Sequence, residues 1–367
     1  MLYVSEVDGV AKHPVIVRDG PAAAARVVES WARCDWSDLP DAVATRYERD
    51  GKQLWLSAGP GHGLCRLRPR RCRGVAAGVR AHRLPVSDPR HDVPMTDRVA
   101  LVTGGSSGIG EQAALRLRGA GFTTYAVARR VDRMSGLADA GVTTFAMDVS
   151  DDASMAGGIE RVLGEHGRID VLVNNAGYGS YGAVENVAIE EGRRQFEVNV
   201  FGPARLVQLV TPHMREQGSG RIINISSVGG KFYEPLGAWY HATKFAVEGF
   251  SDSLRLELAP YGIRVVIVEP GPIRTEWNTI ARDGLVASSA GTAYESQAEG
   301  VRARMESGEG PMLSSGPDVV AKKILRAATA RRPRSRYPVG RGAGSIVTAR
   351  RLLPDRALDA VIGRLYS

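Results

Sequence analysis

Six short apolar segments, separated by helix-like stretches, follow one another between Asp97 and Val268 and constrain the fold of this chain more than any other feature. The predicted strands are Arg98–Thr103, Thr123–Ala128, Val142–Met147, Ile169–Asn174, Arg221–Ile225 and Ile263–Val268. Strands that are apolar along their whole length are typical of a parallel sheet covered by helices on both faces. With a last strand at Ser335–Val339, the sequence predicts a doubly wound α/β fold with a seven-stranded, mostly parallel sheet.

A glycine-rich turn, TGGSSGIG at Thr103–Gly110, joins the first predicted strand to the first helix. Glycines let the backbone turn tightly and approach a pyrophosphate, whose charge is stabilised at the helix N-terminus. The order strand, turn, helix therefore indicates a Rossmann-like dinucleotide site, and the alternative is a close-packed turn that binds no ligand. The candidate contacts are Gly104, Ser106, Ser107, Gly108, Ile109 and Gly110.

Further motifs follow in a fixed order along the chain. They are Asp148-Val149 after the third strand, Asn174–Gly177 (NNAG) after the fourth, Asn199 within VNVFG, Ser226-Ser227 after the fifth, Tyr240-x-x-x-Lys244 and Pro270-Gly271 after the sixth. With the spacing T-G-x3-G-x-G, they resemble the short-chain dehydrogenase/reductase family over about Asp97 to Tyr337. The resemblance implies hydride transfer between a nicotinamide cofactor and a carbonyl or alcohol. It also implies cofactor contacts at Asp148, Val149, Asn175, Ala176, Gly177, Tyr240, Lys244, Pro270, Gly271, Ile273 and Thr275.

The end of the second strand bears on the choice between NAD and NADP. An NAD enzyme usually has a carboxylate there for the ribose hydroxyls. Here that position is Ala128, followed by Arg129 and Arg130. Because a guanidinium pairs with a 2′-phosphate that a carboxylate would repel, the sequence predicts NADP(H), with Arg129 preferred as its contact. Asp148 resembles the adenine-contacting residue of the family, and its alternative role is a helix N-cap.

Tyr240 and Lys244 lie four residues apart, on one face of a predicted helix. A free tyrosine has a pKa of about 10, and a nearby ammonium is expected to lower it, so that Tyr240 can act as an acid or base. Ser227, with Ser226 as the adjacent alternative, is expected to hydrogen-bond the substrate oxygen. Asn199 resembles the helix-bending asparagine of the family, which supports a water-linked proton path to the lysine. No metal site is predicted.

The substrate lid is predicted over Glu276 to about Ser315. Its apolar candidates are Trp277, Ile280, Leu285, Val286, Tyr294 and Met312, and the predicted pocket wall adds Tyr178, Tyr181, Trp239 and His241, each of which could equally be simple packing. Two segments, Phe232–Lys244 and EPGPIRTEW, resemble the branch that contains 17β-hydroxysteroid and retinol dehydrogenases. That resemblance implies a hydrophobic alcohol or ketone as substrate.

Composition excludes few classes of protein. The chain has 367 residues and a net charge of +8. Its three cysteines, Cys34, Cys65 and Cys72, are interpreted as free thiols. The spacing of Cys65 and Cys72 with nearby histidines fits no established zinc pattern. The arginine bias accompanies no nucleic-acid-binding motif. Without a signal peptide or a run of about 18 apolar residues, a cytoplasmic location is expected.

The two ends of the chain leave alternatives open. Residues 95–367 form the predicted NADP-binding domain, and residues 1–94 an extension, with a small α/β piece at 13–57 followed by linker or disorder. The small piece consists of a strand at His13–Asp19, a helix at Gly20–Arg33 and a β-hairpin from Ala42–Arg49 to Lys52–Ser57 that turns at Asp50-Gly51. The start MTDRVALVTGG at Met95 suggests that the extension is an over-long start assignment, and the rival is a genuine module. The ten basic and no acidic residues between Val319 and Pro354 fit a packed terminal helix with a solvated basic side, or a peripheral membrane surface.

The sequence thus predicts an NADP(H)-dependent oxidoreductase acting on a small-molecule carbonyl or alcohol. The alternative is a catalytically silent NADP-binding sensor or scaffold. Such a protein usually lacks one of the four catalytic groups, and Asn199, Ser227, Tyr240 and Lys244 are all present. The family resemblance further implies a homo-oligomer that associates through the long helices after the fourth and fifth strands.

Overall fold

The computed structural model describes residues 97–307 and 314–366, together with the backbone of short strands upstream. The chain separates into two compact units, Met1–Asp92 and Val93–Ser367. Among the described residues, no helix is long and apolar enough to cross a membrane.

In the first unit, Arg46–Asp50 pairs antiparallel with Gln53–Ser57, and Asp50 lies opposite Gln53. This pairing agrees with the hairpin predicted from Asp50-Gly51. Val15–Ile16, within the predicted strand His13–Asp19, pairs with Leu2–Tyr3. The helix predicted over Gly20–Arg33 lies outside the described residues.

The second unit alternates strands and helices. The strands are β1 (Val99–Thr103), β2 (Thr123–Ala128), β3 (Thr143–Ala146), β4 (Val171–Asn174), β5 (Gly220–Ile225), β6 (Ile263–Pro270) and β7 (Arg336–Val339). The helices are α1 (Gly108–Gly119), α2 (Ser135–Asp139), α3 (Asp152–His166), α4 (Ile189–Phe196), α5 (Gly202–Glu216), α6 (Ala238–Leu258), α7 (Glu276–Ser289), α8 (Glu295–Ser307), α9 (Asp318–Thr329), α10 (Ala343–Leu352) and α11 (Asp355–Tyr366). A π-helical turn, Glu197–Phe201, joins α4 to α5.

The seven strands form one sheet in the order β7-β6-β5-β4-β1-β2-β3. Every neighbouring pair is parallel, so that, for example, Leu172 lies opposite Leu101 and Asn174 opposite Asn224. The predicted doubly wound sheet is confirmed, with parallel pairing throughout. Because β1 starts the chain order and lies between β2 and β4, the strand order reverses there, and ligands of such sheets bind at that reversal.

Both faces of the sheet are buried, which explains the continuous apolar runs of the strands. Ala100 and Val102 of β1 pack in one core with α1 and α9, through side chains such as Leu117 and Ile324. Val99 and Leu101 face the opposite core, and α3, α5 and α6 cover it with Ile159, Leu206 and Leu254 among others. The two cores hold the carboxyl ends of the strands at one edge of the sheet, and the candidate site lies along that edge.

Candidate functional site

The glycine turn after β1 adopts backbone conformations that glycine alone reaches without strain. Gly104 has φ +68° and Gly108 has φ +59°, both in the left-handed region. The side chain of Asn175, just beyond β4, donates hydrogen bonds to the carbonyls of Thr103 at 2.9 Å and of Gly104 at 3.2 Å. A Cβ at Gly110 would lie 2.2 Å from the Gly104 carbonyl oxygen. The Asn175 side chain therefore fixes the backbone of the turn, and the absence of a side chain at Gly110 lets α1 pack closely against Gly104.

A cleft of about 970 Å³ runs along this edge of the sheet. Most of the predicted cofactor residues line it: Gly104, Ser106, Ser107, Gly108, Ile109, Arg129, Asp148, Val149, Asn175, Ala176, Gly177, Tyr240, Lys244, Pro270, Gly271, Ile273 and Thr275. Gly110 and Asn199, in contrast, are not among the lining residues. Among the described residues, no group of His, Cys, Asp or Glu could hold a metal ion.

The two arginines after β2 have different environments. Arg130 forms an ion pair with Glu276 at the start of α7, at 3.2 Å, and Arg133 approaches the same carboxylate at 2.8 Å. Arg129 instead lies close enough to Asp148 for its charge to lower the pKa of that carboxyl. Both arginines line the cleft, but Arg130 is paired with Glu276, whereas Arg129 lies near Asp148.

Asp148 follows β3 and holds a tight turn. Its Oδ1 accepts hydrogen bonds from the backbone N–H and the hydroxyl of Ser150, at 2.9 and 2.7 Å. Burial alone would raise its pKa, but these hydrogen bonds and the charges of Arg129 and Arg194 lower it. The N-cap of α3 is Asp151, whose side chain accepts from the N–H of Ser154, so the alternative reading of Asp148 as the N-cap is wrong.

Ser227 and Tyr240 lie next to each other beyond the ends of β5 and β6. The Ser227 hydroxyl accepts from the N–H of Gly229 at 3.0 Å and donates to the carbonyl of Pro270 at 3.4 Å. Burial raises the pKa of Tyr240 to about 12, and the neighbouring Ser227 hydroxyl opposes the rise. Ser226 is buried, and its hydroxyl has no hydrogen-bond partner among the described residues.

Lys244 lies one turn beyond Tyr240 on α6 and is buried. Its Nζ donates to the carbonyl of Ile225 at 3.0 Å and lies 5.9 Å from the centre of the Tyr240 ring. Burial lowers the pKa of Lys244 to about 8, against the opposing charge of Glu248. The pKa of Tyr240 is raised rather than lowered in this structure because burial of the phenol dominates, so a lowering contribution from Lys244 stays a prediction.

Asn199 lies within the π-helical turn between α4 and α5 and is buried. Its Oδ1 accepts from the N–H of Tyr178, and its Nδ2 donates to the carbonyl of the same residue and to the hydroxyl of Thr243. A π turn is a local widening of a helix that often occurs at functional sites. Asn199 does not line the cleft itself, but it hydrogen-bonds the backbone of Tyr178, which does.

The model of the family described as short chain dehydrogenase matches residues 98–285. This chain belongs to that family. YusZ, an uncharacterized oxidoreductase of Bacillus subtilis, is 33% identical over 279 residues, which cover 73% of this chain and 98% of YusZ. An NADPH-dependent 3-dehydrocapnine reductase of Ornithobacterium rhinotracheale is 34% identical over 278 residues, 72% of this chain and 95% of the reductase. A crystal structure of a short-chain dehydrogenase from Streptomyces avermitilis has 35% identity and a TM-score of 0.60, covering 73% of this chain and 94% of its own.

The substrate end of this short-chain dehydrogenase differs from the predicted lid. Trp277 and Ile280 of α7 line the cleft, as do Tyr178, Tyr181 and His241. Leu285 is fully buried in a core beneath α7, and Trp239 packs against Phe196, so neither lines the cleft. Val286 and Tyr294 are also absent from the lining, and Met312 lies outside the described residues.

Several cleft-lining residues were not named by the sequence prediction. Within the predicted lid these are Val301 and Met305 of α8, and outside it they include Glu234 before α6, Ile346 and Ala349 of α10, and Leu358, Val361, Ile362, Leu365 and Tyr366 of α11. The apolar spacing of α11 indicated a packed helix, but no local signal said that it packs beside the cleft. The sequence offered one hint that Glu234 belongs to the site. It is a carboxylate six residues before Tyr240, inside the segment Phe232–Lys244 that resembles 17β-hydroxysteroid and retinol dehydrogenases.

Proposed function

We propose that this dehydrogenase interconverts a carbonyl and an alcohol on a hydrophobic small molecule, with NADP(H) as the cofactor and Tyr240 as the acid/base. The observation that carries the proposal is the meeting of the Ser227 hydroxyl and the Tyr240 phenol in the cleft, with Lys244 buried beside them. An oxygen atom of a substrate placed against both hydroxyls accepts two hydrogen bonds, which stabilise the charge that develops on it.

The glycine turn fits a dinucleotide. A Cβ on Gly108 would lie 2.9 Å from Cγ2 of Thr275, so a side chain there would fill the space between the turn and the loop after β6. The N-terminus of α1 opens onto the same space, and its partial positive charge suits a pyrophosphate. Arg129 at the end of β2 would pair with a 2′-phosphate, and the NADPH-dependent relative named above supports the same preference.

When bound along the glycine turn, NADPH would supply the hydride that the carbonyl carbon takes up in the reducing direction. Tyr240 donates its phenolic proton to the oxygen of the former carbonyl, which yields the alcohol. Ser227 donates a hydrogen bond to that oxygen and keeps it aligned with Tyr240. The Lys244 ammonium, 5.9 Å from the ring centre, stabilises the phenolate that remains. In the oxidising direction the same proton returns from the alcohol to Tyr240.

The substrate end favours apolar molecules. Beyond Tyr240 the cleft is lined by Phe232, Trp277, Val301, Met305, Ile362 and Leu365. Burying apolar surface of a substrate against such residues contributes about 25 cal/mol per Å². A hydrophobic chain or ring system attached to the carbonyl is therefore the expected substrate class.

The test is oxidation of NADPH by the purified full chain against a panel of hydrophobic and small polar carbonyls, with NADH in parallel. Turnover should prefer NADPH and hydrophobic carbonyls, and Tyr240→Phe should lower kcat at least a hundredfold. Tyr125→Phe is the matched control, since Tyr125 is a buried phenol that contacts Glu165, away from the cleft. Full activity of the Tyr240→Phe enzyme would exclude Tyr240 as the acid/base.

A further inference from the structure

A carboxylate, that of Glu234, lies in the apolar part of the cleft beside Tyr240. Its side chain is 14% exposed, so it is largely buried yet reaches the cleft. The hydroxyl of Tyr181 donates to its Oε1 at 2.7 Å, and the hydroxyl of Tyr366 donates to its Oε2. Each carboxylate oxygen has two acceptor sites, so both retain the capacity for a further donor.

In the described part of the chain, no lysine or arginine nitrogen lies within 4.0 Å of this carboxylate. Among the described residues, the basic side chain within 4.0 Å of it is His241, whose Nε2 lies 3.9 Å from Oε1. That nitrogen accepts a hydrogen bond from the backbone N–H of Glu234, while Nδ1 contacts the carbonyl of Gly229 at 2.8 Å. An imidazole that accepts at Nε2 and donates at Nδ1 is the neutral tautomer. The side-chain hydrogen bonds to this carboxylate therefore come from the two tyrosine hydroxyls, and the imidazole beside it carries no charge.

Three aromatic rings lie beside the carboxylate in the same stretch of the cleft. The centres of Tyr181 and Tyr240 are 5.8 Å apart, those of Tyr240 and Trp277 5.0 Å, and those of Tyr181 and Trp277 6.0 Å. The faces of such rings attract cations through their quadrupoles, and tyrosine and tryptophan surround ammonium groups in known recognition sites. The Arg304 guanidinium also lines the cleft and stacks over the ring of Tyr366, 5.1 Å from the ring centre.

We propose that Glu234, with the rings of Tyr181 and Trp277, binds a substrate ammonium group close to the carbonyl that Tyr240 protonates. This inference rests on the proposed function, because it places the group relative to the reacting carbon. A largely buried carboxylate loses hydration, and a cationic substrate in direct contact with it supplies a counter-ion on binding. The expected substrates are amino ketones or amino alcohols with an apolar chain that extends toward α8 and α11.

The effect on Tyr240 supports this placement. Tyr181 bonds Glu234 and packs against the Tyr240 ring, and after burial the charge of Glu234 adds to the raised pKa of the Tyr240 phenol. An ammonium bound between them offsets the negative charge, and therefore makes it easier for Tyr240 to release its proton. Substrate charge would thus aid binding and proton transfer at the same site.

Binding of choline and of its neutral isostere 3,3-dimethylbutan-1-ol tests the proposal without turnover. Calorimetry on the full chain with saturating NADP+ should show that choline binds at least tenfold more tightly than the isostere. Glu234→Gln, which keeps the shape and removes the charge, should abolish that ratio. Equal affinities for the two probes, or no detectable binding of choline, would overturn the ammonium site.

Glu191→Gln provides the matched control, since Glu191 also accepts a tyrosine hydroxyl, that of Tyr178 at 2.9 Å, but does not line the cleft. It should keep the choline preference. If Glu191→Gln abolished the preference as fully as Glu234→Gln, the effect would be a general loss of charge and the proposal would fail.

A second measurement uses methyl ketones that end in trimethylammonium against tert-butyl ketones of the same length, with NADPH. The wild-type kcat/KM should favour the charged series at least tenfold at the best chain length, and Glu234→Gln should remove the preference. Choline binding that depends on Glu234, without NADPH-dependent turnover of either series, would contradict the proposed reductase function and leave the ammonium site standing. Turnover of both series at equal rates would contradict the ammonium site and leave the reductase function standing.

Discussion

The carboxamide of Asn199 hydrogen-bonds both backbone polar groups of Tyr178. Its Oδ1 accepts from the N–H at 3.0 Å, and its Nδ2 donates to the carbonyl at 2.8 Å. The π-helical turn that contains Asn199 therefore determines the path of the chain after β4, where Ala176 and Gly177 line the cleft. This contact is separate from the predicted proton path, which stays a prediction.

Asn199→Asp should lower kcat/KM by at least tenfold while the fold persists. A carboxylate cannot donate to the Tyr178 carbonyl and is repelled by it, and leaving a buried polar group without its partner costs about 1–3 kcal/mol. Steady-state kinetics and the far-UV circular dichroism spectrum measure the two effects. Asn186→Asp, at an exposed position, is the control. Unchanged kinetics for Asn199→Asp would show that the Tyr178 segment needs no such support.

Arg129→Ala should raise KM for NADPH about ten- to hundredfold and leave KM for NADH unchanged. The reason is the loss of a hydrogen bond to a charged phosphate, which contributes about 1.5–3 kcal/mol. Arg130→Ala is the matched control and should change KM for NADPH by less, because Arg130 is paired with Glu276. A larger effect of Arg130→Ala would reverse the assignment, and a wild-type preference for NADH would overturn the choice of cofactor.

Lys244→Met should abolish turnover and change the dependence of stability on pH. Burial lowers the pKa of Lys244 from 10.5 to about 8 in the folded protein. Between pH 8 and 10.5 the unfolded chain binds a proton at Lys244 that the folded chain does not, so wild-type stability rises with pH over that window. The methionine variant lacks this rise.

Thermal unfolding of both proteins from pH 7 to 10 measures the effect of Lys244→Met. The Tm of the variant minus that of the wild type should be most positive at pH 7 and should fall as the pH increases. Lys323→Met, at a half-buried position, should show no such trend. A difference that stays constant across this range would mean that Lys244 titrates alike in both states.

Glu269→Gln should remove a loss of stability that the wild type shows between pH 4.5 and 7. Glu269 is fully buried on β6, and burial together with the charge of Glu248 raises its pKa from 4.5 to about 7, although Lys231 and Arg336 lie 3.8 and 3.5 Å away. In that window the folded chain holds a proton that the unfolded chain has released, so stability falls as the pH rises.

Thermal unfolding at pH 5 and pH 8 tests this effect of Glu269. The Tm of Glu269→Gln relative to the wild type should increase between the two pH values, because the amide has no proton to lose. Glu257→Gln, at an exposed position on α6, is the control and should run parallel to the wild type. An equal shift in both variants would assign the pH dependence to other groups.

The sequence by itself determined the sheet and the cofactor end of the site. Strands such as Val99–Thr103 are recognisable because burial on both faces favours apolar side chains. The turn after that strand is recognisable because glycine reaches the φ of Gly104 and Gly108 without strain. Tyr240 and Lys244 lie on one helix, so their proximity follows from helical periodicity. These features depend on the geometry of residues that are close together in the sequence, so the spacing of residue types along the chain is enough to predict them.

Only the tertiary structure decided the electrostatics and the substrate end. The pKa of Tyr240 depends on burial among side chains from distant segments, and Tyr366 meets Glu234 across 132 positions of sequence. Leu285 has the same apolar character as Ile280, yet it faces the core and Ile280 faces the cleft. Desolvation and long-range packing depend on which surfaces meet, and that information is spread over the whole chain rather than carried by a motif.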